Sequence, residues 1–191
     1  MQNKQLLLRK LSKNKKTMKK IVFLLLGILT FMFSYSQETG SVQTAKIPSV
    51  EIKDLSGKPF NTSEILNNDG NPVIIDFWAT WCKPCIKELM AIDEVYPDWQ
   101  DETGVVIYAV SIDDTRSMNR VAPFVNGKGW EYKVLLDPNG DFKRAMGVVD
   151  IPHTFVLDGE GNIVLQHTAY NEGDEEEIYN KLIEITQNKE K

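Results

Sequence analysis

The sequence predicts a single α/β domain, in which a mixed sheet carries helices on both faces. Two near-continuous apolar runs, at 72–78 and 104–112, are typical of strands buried on both faces. Between them, apolar residues recur at helical spacing from about 84 to 100. Further along, two apolar segments flank the turn sequence 158–162 and predict a hairpin, which a helix over about 174–188 follows. Strand–helix alternation that ends in a hairpin and a helix indicates a mixed sheet.

Shorter elements complete this domain, which we place at residues 47–191 behind a flexible lead-in at 37–46. In chain order they begin with a hairpin over 50–60, a helical turn capped by 61–64, a helix over 115–128 that is kinked or restarted near Pro123, and a strand over 132–136. They continue with a turn at 137–140, a short helix over 141–146, and hairpin strands over 152–157 and 163–166. No repeat and no linker rich in Gly or Ser interrupts the chain, so we predict one domain.

The first 36 residues have the pattern of a secretory signal peptide. They hold eight Lys/Arg and no Asp/Glu, and the apolar run 21–33 follows the basic part. Ser34 and Ser36 are the small residues that precede a cleavage site, so we expect cleavage after Ser36 and export to the periplasm or cell envelope. An uncleaved anchor is the alternative, although spanning a bilayer takes about 20 apolar residues. The basic part is long, which points to Met18 as the true start.

The remaining 155 residues are strongly acidic, with 14 Lys/Arg against 27 Asp/Glu, a balance of −13. Binding to a nucleic-acid backbone needs clustered Lys/Arg, so this class of function is excluded. With two cysteines in the whole chain, a disulfide-dense scaffold and a four-cysteine zinc site are also excluded.

Both cysteines stand in the segment Trp81-Cys82-Lys83-Pro84-Cys85, where the first buried strand meets the first long helix. The free N–H groups and the dipole of a helix N-terminus stabilise a thiolate, which is the reactive form of cysteine. We expect Cys82 to be exposed and to attack a partner disulfide, and Cys85 to turn inward and resolve the mixed disulfide. Pro84 suits the first helical turn. Lys83 either lowers the thiol pKa through its charge or is a solvated surface residue.

Other uses of the cysteine pair remain open. A purely structural disulfide would close a very short loop and remove little entropy from the unfolded chain. Haem attachment needs His directly after the second cysteine, where Ile86 stands. A zinc site needs two more ligands. A copper-binding or metallochaperone module that uses Cys82, Cys85 and His153 is the alternative from another functional class, and an inert scaffold domain would leave the thiols without a use.

Residues 76–85, DFWATWCKPC, resemble the active-site signature of the thioredoxin superfamily. With residues 51–59, EIKDLSGKP, before it, the chain is similar to the TlpA/ResA-like thiol–disulfide oxidoreductases over about residues 47–185. The resemblance implies a thioredoxin fold with an N-terminal hairpin extension and a central strand–helix insertion. It also implies an enzyme that needs no cofactor beyond the redox-active Cys82–Cys85 disulfide.

The same resemblance implies the partners. These are exported protein disulfides or thiols and an upstream electron donor, for which a membrane thiol-transfer protein is a candidate. It favours the reducing direction and offers cytochrome c maturation as a role, although no residue specifies that role. We expect no nucleic acid and no stable membrane insertion after cleavage.

Three further positions are carried over from the family. Ile151-Pro152 matches its cis-proline loop, which faces the cysteine pair and leaves the backbone of Ile151 free for a substrate strand. With Trp81, Lys83 and Pro84 this loop forms the expected substrate-binding surface. Asp76 matches the acid beneath the resolving cysteine and Glu88 an acid of ResA-like proteins, so both are expected to be catalytic as proton acceptors for Cys85.

Each assignment has a plainer alternative. Asp76 can be a hydrogen-bonded structural acid, and Glu88 a solvated helix residue. We expect His153 to be an exposed loop residue rather than a group that tunes the site. The peroxiredoxin branch is a rival enzyme class, but its reactive cysteine follows Thr by three positions, and Ala79 stands there.

Overall fold

The computed structural model describes residues 47–189, which belong to one compact unit. The predicted signal peptide, the possible start at Met18 and the lead-in at 37–46 lie outside the described residues. The strands are β1 Glu51–Asp54, β2 Pro59–Asn61, β3 Val73–Trp78, β4 Val106–Ser111, β5 Lys133–Leu136, β6 His153–Leu157 and β7 Ile163–Thr168. The helices are α1 Lys83–Thr103, α2 Val121–Lys128, α3 Asp141–Ala145 and α4 Asp174–Lys189, with 3-10 turns at Thr62–Leu66 and Met118–Arg120.

Within residues 47–189 the seven strands form one sheet in the order β2-β1-β5-β4-β3-β6-β7. The central strands β3, β4 and β5 are parallel, whereas β6 and β7 continue the sheet antiparallel on one side and β1 and β2 on the other. The predicted mixed sheet is therefore confirmed, and the fold is thioredoxin-like. The β1–β2 hairpin and the α2–β5 segment are the two expected additions to it.

Alternation along the strands sends side chains to two apolar cores, one on each face of the sheet. Ile74 and Trp78 of β3 pack with α1 and with Ile178 of α4 on one face. Phe77 packs with Phe142 of α3 on the other face. Helices thus cover both faces, as predicted, and consecutive residues of one strand face different surroundings.

Two helix boundaries differ from the prediction for identifiable reasons. Helix α1 runs to Thr103, three residues beyond the predicted end, because Gly104 takes the left-handed conformation that ends a helix. The predicted 115–128 helix begins only at Val121, after a 3-10 turn, which places Pro123 in the first turn of α2. No helix within residues 47–189 is long and apolar enough to cross a membrane.

Candidate active site

The site is built where β3 ends and α1 begins. Cys82 is the N-cap of α1 and is joined to Cys85 by a disulfide bond. The backbone N–H of Cys85 donates to Cys82 Sγ at 3.3 Å. Pro84 lies in the first turn, where its missing N–H costs no hydrogen bond. One backbone amide of this helix terminus, that of Cys85, therefore points at the sulfur of Cys82.

The two cysteines and Trp81 differ in exposure. Trp81 is 63% exposed, Cys82 6% and Cys85 0%. The expectation that Cys82 is exposed is wrong for the disulfide form, because its sulfur is bonded to Cys85 and packs beside the 151–152 loop. The inward position of Cys85 agrees with the prediction. Lys83 is exposed on the first turn beside Cys82.

The loop before β6 faces the cysteine pair. The Ile151–Pro152 peptide is cis, as the resemblance predicts. The carbonyl oxygen of Ile151 lies 4.0 Å from Cys82 Sγ. The carbonyl of Pro152 accepts a hydrogen bond from the N–H of Ala169, which ties the loop to the end of β7. The fold thus brings together Cys82, Cys85, Ile151 and Pro152 from two segments about 70 residues apart.

Two buried acids lie on the α1 side of the sheet. Glu88 is 1% exposed, one turn along α1 from Cys85, and its Oε1 accepts a hydrogen bond of 2.7 Å from the hydroxyl of Thr154. Asp76 on β3 is fully buried and is the cross-strand neighbour of Thr154 on β6. Among the described residues, neither oxygen of Asp76 has a hydrogen-bond partner, and nor has Glu88 Oε2. Glu88 is therefore not a solvated helix residue.

Burial controls the proton affinity of both acids. Loss of hydration raises the pKa of Glu88 to about 7, although the hydrogen bond from Thr154 and the positive charge of protonated His167 act in the opposite direction. Burial, followed by repulsion from Glu88, raises the pKa of Asp76 well above its ordinary value. Glu88 can thus gain or lose a proton near neutral pH beside Cys85.

Asp113 is a further site residue that the sequence reasoning missed. Its buried carboxylate accepts hydrogen bonds from the Thr80 N–H at 2.8 Å, the Thr80 hydroxyl at 2.6 Å and the Ser111 hydroxyl at 2.9 Å. Thr80 immediately precedes Trp81 and Cys82, so Asp113 fixes the loop that presents them. The position of Asp113 just after a buried strand is the signal that could have found it.

His153 is placed differently from the prediction. It is 5% exposed in β6, its ring lies 4.6 Å from that of Phe155, and its two nitrogens contact Gln166 and Thr168. The expectation of an exposed loop histidine is wrong, because the strand begins at His153 and turns its side chain into a core. Burial lowers the pKa of His153.

This orientation also separates His153 from the cysteines. Its side chain packs on the α3 side of the sheet, whereas Cys82 and Cys85 belong to the core on the α1 side. Within residues 47–189, no cluster of three or more His, Cys, Asp or Glu side chains could hold a metal ion. The structure therefore does not bring Cys82, Cys85 and His153 together, as the copper-binding alternative requires.

A thioredoxin-like sheet, a disulfide at the N-terminus of its first long helix and a facing cis proline define a thioredoxin-like thiol–disulfide oxidoreductase. Residues 44–166 match the sequence profile of the AhpC/TSA family, and the chain belongs to that family. The chain is 29% identical to the thiol-disulfide oxidoreductase ResA of Bacillus cereus strain ATCC 10987, over 91% of this chain and 99% of that protein. It is 34% identical to ResA of Bacillus anthracis, over 71% of this chain and 75% of that protein.

Solved structures agree with the fold. A solution structure of a thioredoxin-like protein from Porphyromonas gingivalis superposes with a TM-score of 0.67 and 53% identity, covering 74% of this chain and 92% of that one. StoA from Bacillus subtilis superposes with a TM-score of 0.56 at 22% identity, covering 71% of this chain and 98% of that one, which shows the fold alone.

Proposed function

We propose that the protein exchanges disulfides with exported proteins in the cell envelope and acts as their reductant. The observation that carries this proposal is the Cys82–Cys85 disulfide at the start of α1, with Cys82 Sγ 4.0 Å from the Ile151 carbonyl oxygen. No cofactor is needed, because the reduced Cys82–Cys85 dithiol itself supplies the two electrons.

In the first step, the reduced protein attacks with Cys82. Its thiolate is stabilised by the helix N-terminus and by the Cys85 N–H that points at its sulfur. The thiolate bonds to one sulfur of the partner disulfide and releases the other partner sulfur as a thiolate, which takes up a proton from solvent. The product is a mixed disulfide through Cys82.

In the second step, Cys85 resolves the mixed disulfide. Glu88, which lies one turn away with its pKa raised to about 7, accepts the proton of the Cys85 thiol. The Cys85 thiolate then bonds to Cys82 Sγ and releases the second partner thiolate. The partner gains two electrons and the protein ends as the Cys82–Cys85 disulfide. Asp76, buried behind Thr154, is the second candidate acceptor.

Partner recognition rests on the surface around Cys82. Trp81 is exposed beside it, and Lys83 and Pro84 extend this surface along the first turn of α1. Opposite them, the backbone of Ile151 before the cis proline can pair with an extended segment of the partner. This surface is suited to a polypeptide rather than to a small disulfide alone.

The location of the protein and the direction of electron flow follow from its N-terminal sequence and from the resemblance to the TlpA/ResA-like proteins. The signal-peptide pattern of residues 1–36 supports export, with cleavage after Ser36 and no stable membrane insertion afterwards. An upstream dithiol, such as that of a membrane thiol-transfer protein, must reduce Cys82–Cys85 after each turnover. Exported cytochrome c precursors, which carry cysteine pairs, are the substrate class that the TlpA/ResA resemblance offers.

The test is the reduction potential of the Cys82–Cys85 pair together with reduction of insulin disulfides. We expect the pair to be reducible by dithiothreitol and the wild type to reduce insulin, with Cys82→Ser inactive and Cys85→Ser unable to complete turnover. A pair that dithiothreitol cannot reduce, or full activity of Cys82→Ser, would contradict the proposal. N-terminal sequencing of the exported form checks cleavage after Ser36.

A further inference from the structure

A row of polar side chains crosses three neighbouring strands beneath α1. Asp76 on β3 is paired in register with Thr154 on β6, and Thr154 is paired with His167 on β7. Cross-strand neighbours on one face of a sheet have Cβ atoms about 5 Å apart. Glu88 contacts the middle of this row through its hydrogen bond with Thr154.

The row runs from the core to the surface of the protein. Asp76 is fully buried, whereas the His167 side chain is 18% exposed and meets the start of α4. His167 Nε2 lies 3.0 Å from Asp174 Oδ2, and its Nδ1 lies 4.0 Å from Glu177 Oε2. Asp174 also accepts a hydrogen bond from the Asn171 N–H at 2.6 Å, so the carboxylate that holds the imidazole is itself held.

Among the titratable side chains within residues 47–189 that act on Glu88, His167 is the one that can carry a positive charge. The titratable side chains that act on Glu88 or lie around it are Asp76 on β3, Tyr132 before β5, His167 on β7, Tyr170 after β7, and Asp174 and Glu175 on α4. Those around His167 are Glu88, Asp174 and Glu177, with His153 on the opposite face of the sheet. Apart from the two histidines, every side chain in these two sets is an acid or a phenol.

We propose that His167, held by Asp174, is a positioning residue that sets the ionisation of Glu88 and thereby the pH at which Cys85 is released as a thiolate. This inference rests on the proposed thiol–disulfide exchange. Protonated His167 favours the carboxylate form of Glu88, which is the form that accepts the Cys85 proton. Without that positive charge, Glu88 holds its own proton more tightly.

The electrostatics agree with this geometry. The positive charge of His167 lowers the pKa of Glu88, whereas the carboxylates of Asp174 and Glu175 raise it.

The test titrates Glu88 in the reduced protein by NMR of 13C-labelled glutamate carboxyls, with Glu88→Gln to assign the signal. We expect His167→Gln to raise the Glu88 midpoint and His167→Lys, which keeps a positive charge, to leave it at or below the wild-type value. His153→Gln is the matched control, because it removes the other histidine from the opposite face of the sheet. A midpoint that is the same in the wild type, His167→Gln and His167→Lys would overturn the inference.

A kinetic measurement separates this role from a merely structural one. Reduced protein mixed with Ellman's reagent releases one thionitrobenzoate when Cys82 attacks and a second when Cys85 resolves the mixed disulfide. At pH 6, the second release by His167→Gln should slow by about tenfold for each unit by which the Glu88 pKa rises. The difference should vanish at a pH high enough to deprotonate Glu88 in both proteins. An equal slowing at every pH would contradict the inference, whereas a wild type that shows no second release would contradict the proposed function itself.

Discussion

The hydroxyl of Thr154 donates a hydrogen bond of 2.7 Å to the Glu88 carboxylate, which joins the strand after the cis proline to the helix that carries the cysteines. Thr154 lies two residues after Pro152, and Glu88 three residues after Cys85. The substrate-facing loop and the proton acceptor of the resolving cysteine are therefore coupled through one contact.

This contact predicts the effect of Thr154→Val. Valine keeps the shape and the strand propensity of threonine but removes the hydrogen bond that lowers the pKa of Glu88. We expect the Glu88 pKa to rise and the second thionitrobenzoate release to slow below pH 7. Thr154→Ser keeps the hydroxyl and should behave like the wild type. A normal pH profile in Thr154→Val would show that the contact does not tune Glu88.

The two buried acids also predict how stability depends on pH. The pKa of Glu88 rises from 4.5 to about 7 on folding, so between these values the folded state holds a proton that the unfolded chain has lost. The contribution of Glu88 to the free energy of unfolding is therefore fully present below pH 4.5 and is lost as the pH rises toward 7. This contribution is on the order of 3 kcal/mol. Asp76 adds a change of the same sign, because burial also raises its pKa.

Asp76→Asn should consequently raise the free energy of unfolding at pH 8 and reduce the difference between pH 5 and pH 8. Denaturant unfolding of the oxidised protein at both pH values measures this. Asp101→Asn, an exposed acid on the same helix as Glu88, controls for the change in net charge. A lower free energy of unfolding for Asp76→Asn than for the wild type at pH 8 would contradict this prediction. It would show that the buried Asp76 carboxylate does not destabilise the folded state.

Two neighbouring tryptophans should have opposite roles. Trp81 is largely exposed, so Trp81→Ala should change the free energy of unfolding by less than about 0.5 kcal/mol. Loss of its contact with a protein partner should reduce kcat/KM for insulin about fivefold, equivalent to ~1 kcal/mol, and leave the reaction with Ellman's reagent nearly unchanged.

Trp78 provides the matched comparison. It is fully buried, packs edge-to-face against Trp130 at 5.4 Å between ring centroids, and contacts the Phe124 ring in a tilted arrangement at 5.8 Å. Trp78→Ala should cost about 3–5 kcal/mol of unfolding free energy. Equal stability of the two variants, or equal loss of insulin reduction and of small-disulfide reduction in Trp81→Ala, would contradict these assignments.

Local patterns predicted the elements because hydrophobic periodicity and turn chemistry act over a few residues. The run before Trp78 specifies a strand buried on both faces, and the first-turn position of Pro84 specifies a helix start. The cysteine pair was found for the same reason, since the signature 76–85 and its place between a buried strand and a helix define its setting. Of the two alternatives predicted for the 115–128 segment, a kink or a restart near Pro123, the structure has the restart, with α2 beginning at Val121 and Pro123 in its first turn.

The remaining features depend on strand register, which no local pattern contains. Which face His153 occupies follows from its pairing with Phe77 and from the strand starting one residue after Pro152. The neighbours of Glu88 come from β6 and β7, more than 60 residues away in the chain, so neither its burial nor the place of His167 could be predicted. Asp113 was missed likewise, because its partner Thr80 is 33 residues away.

The central claim is that Cys82 attacks the partner and Cys85 resolves the mixed disulfide. Trapping with single-cysteine variants in the native envelope tests it most directly, by non-reducing electrophoresis that detects adducts of this protein. We expect Cys85→Ser to accumulate mixed disulfides that dithiothreitol releases, and Cys82→Ser to accumulate few, because Cys85 is buried behind Cys82. Equal trapping by both variants, or trapping by Cys82→Ser alone, would contradict it.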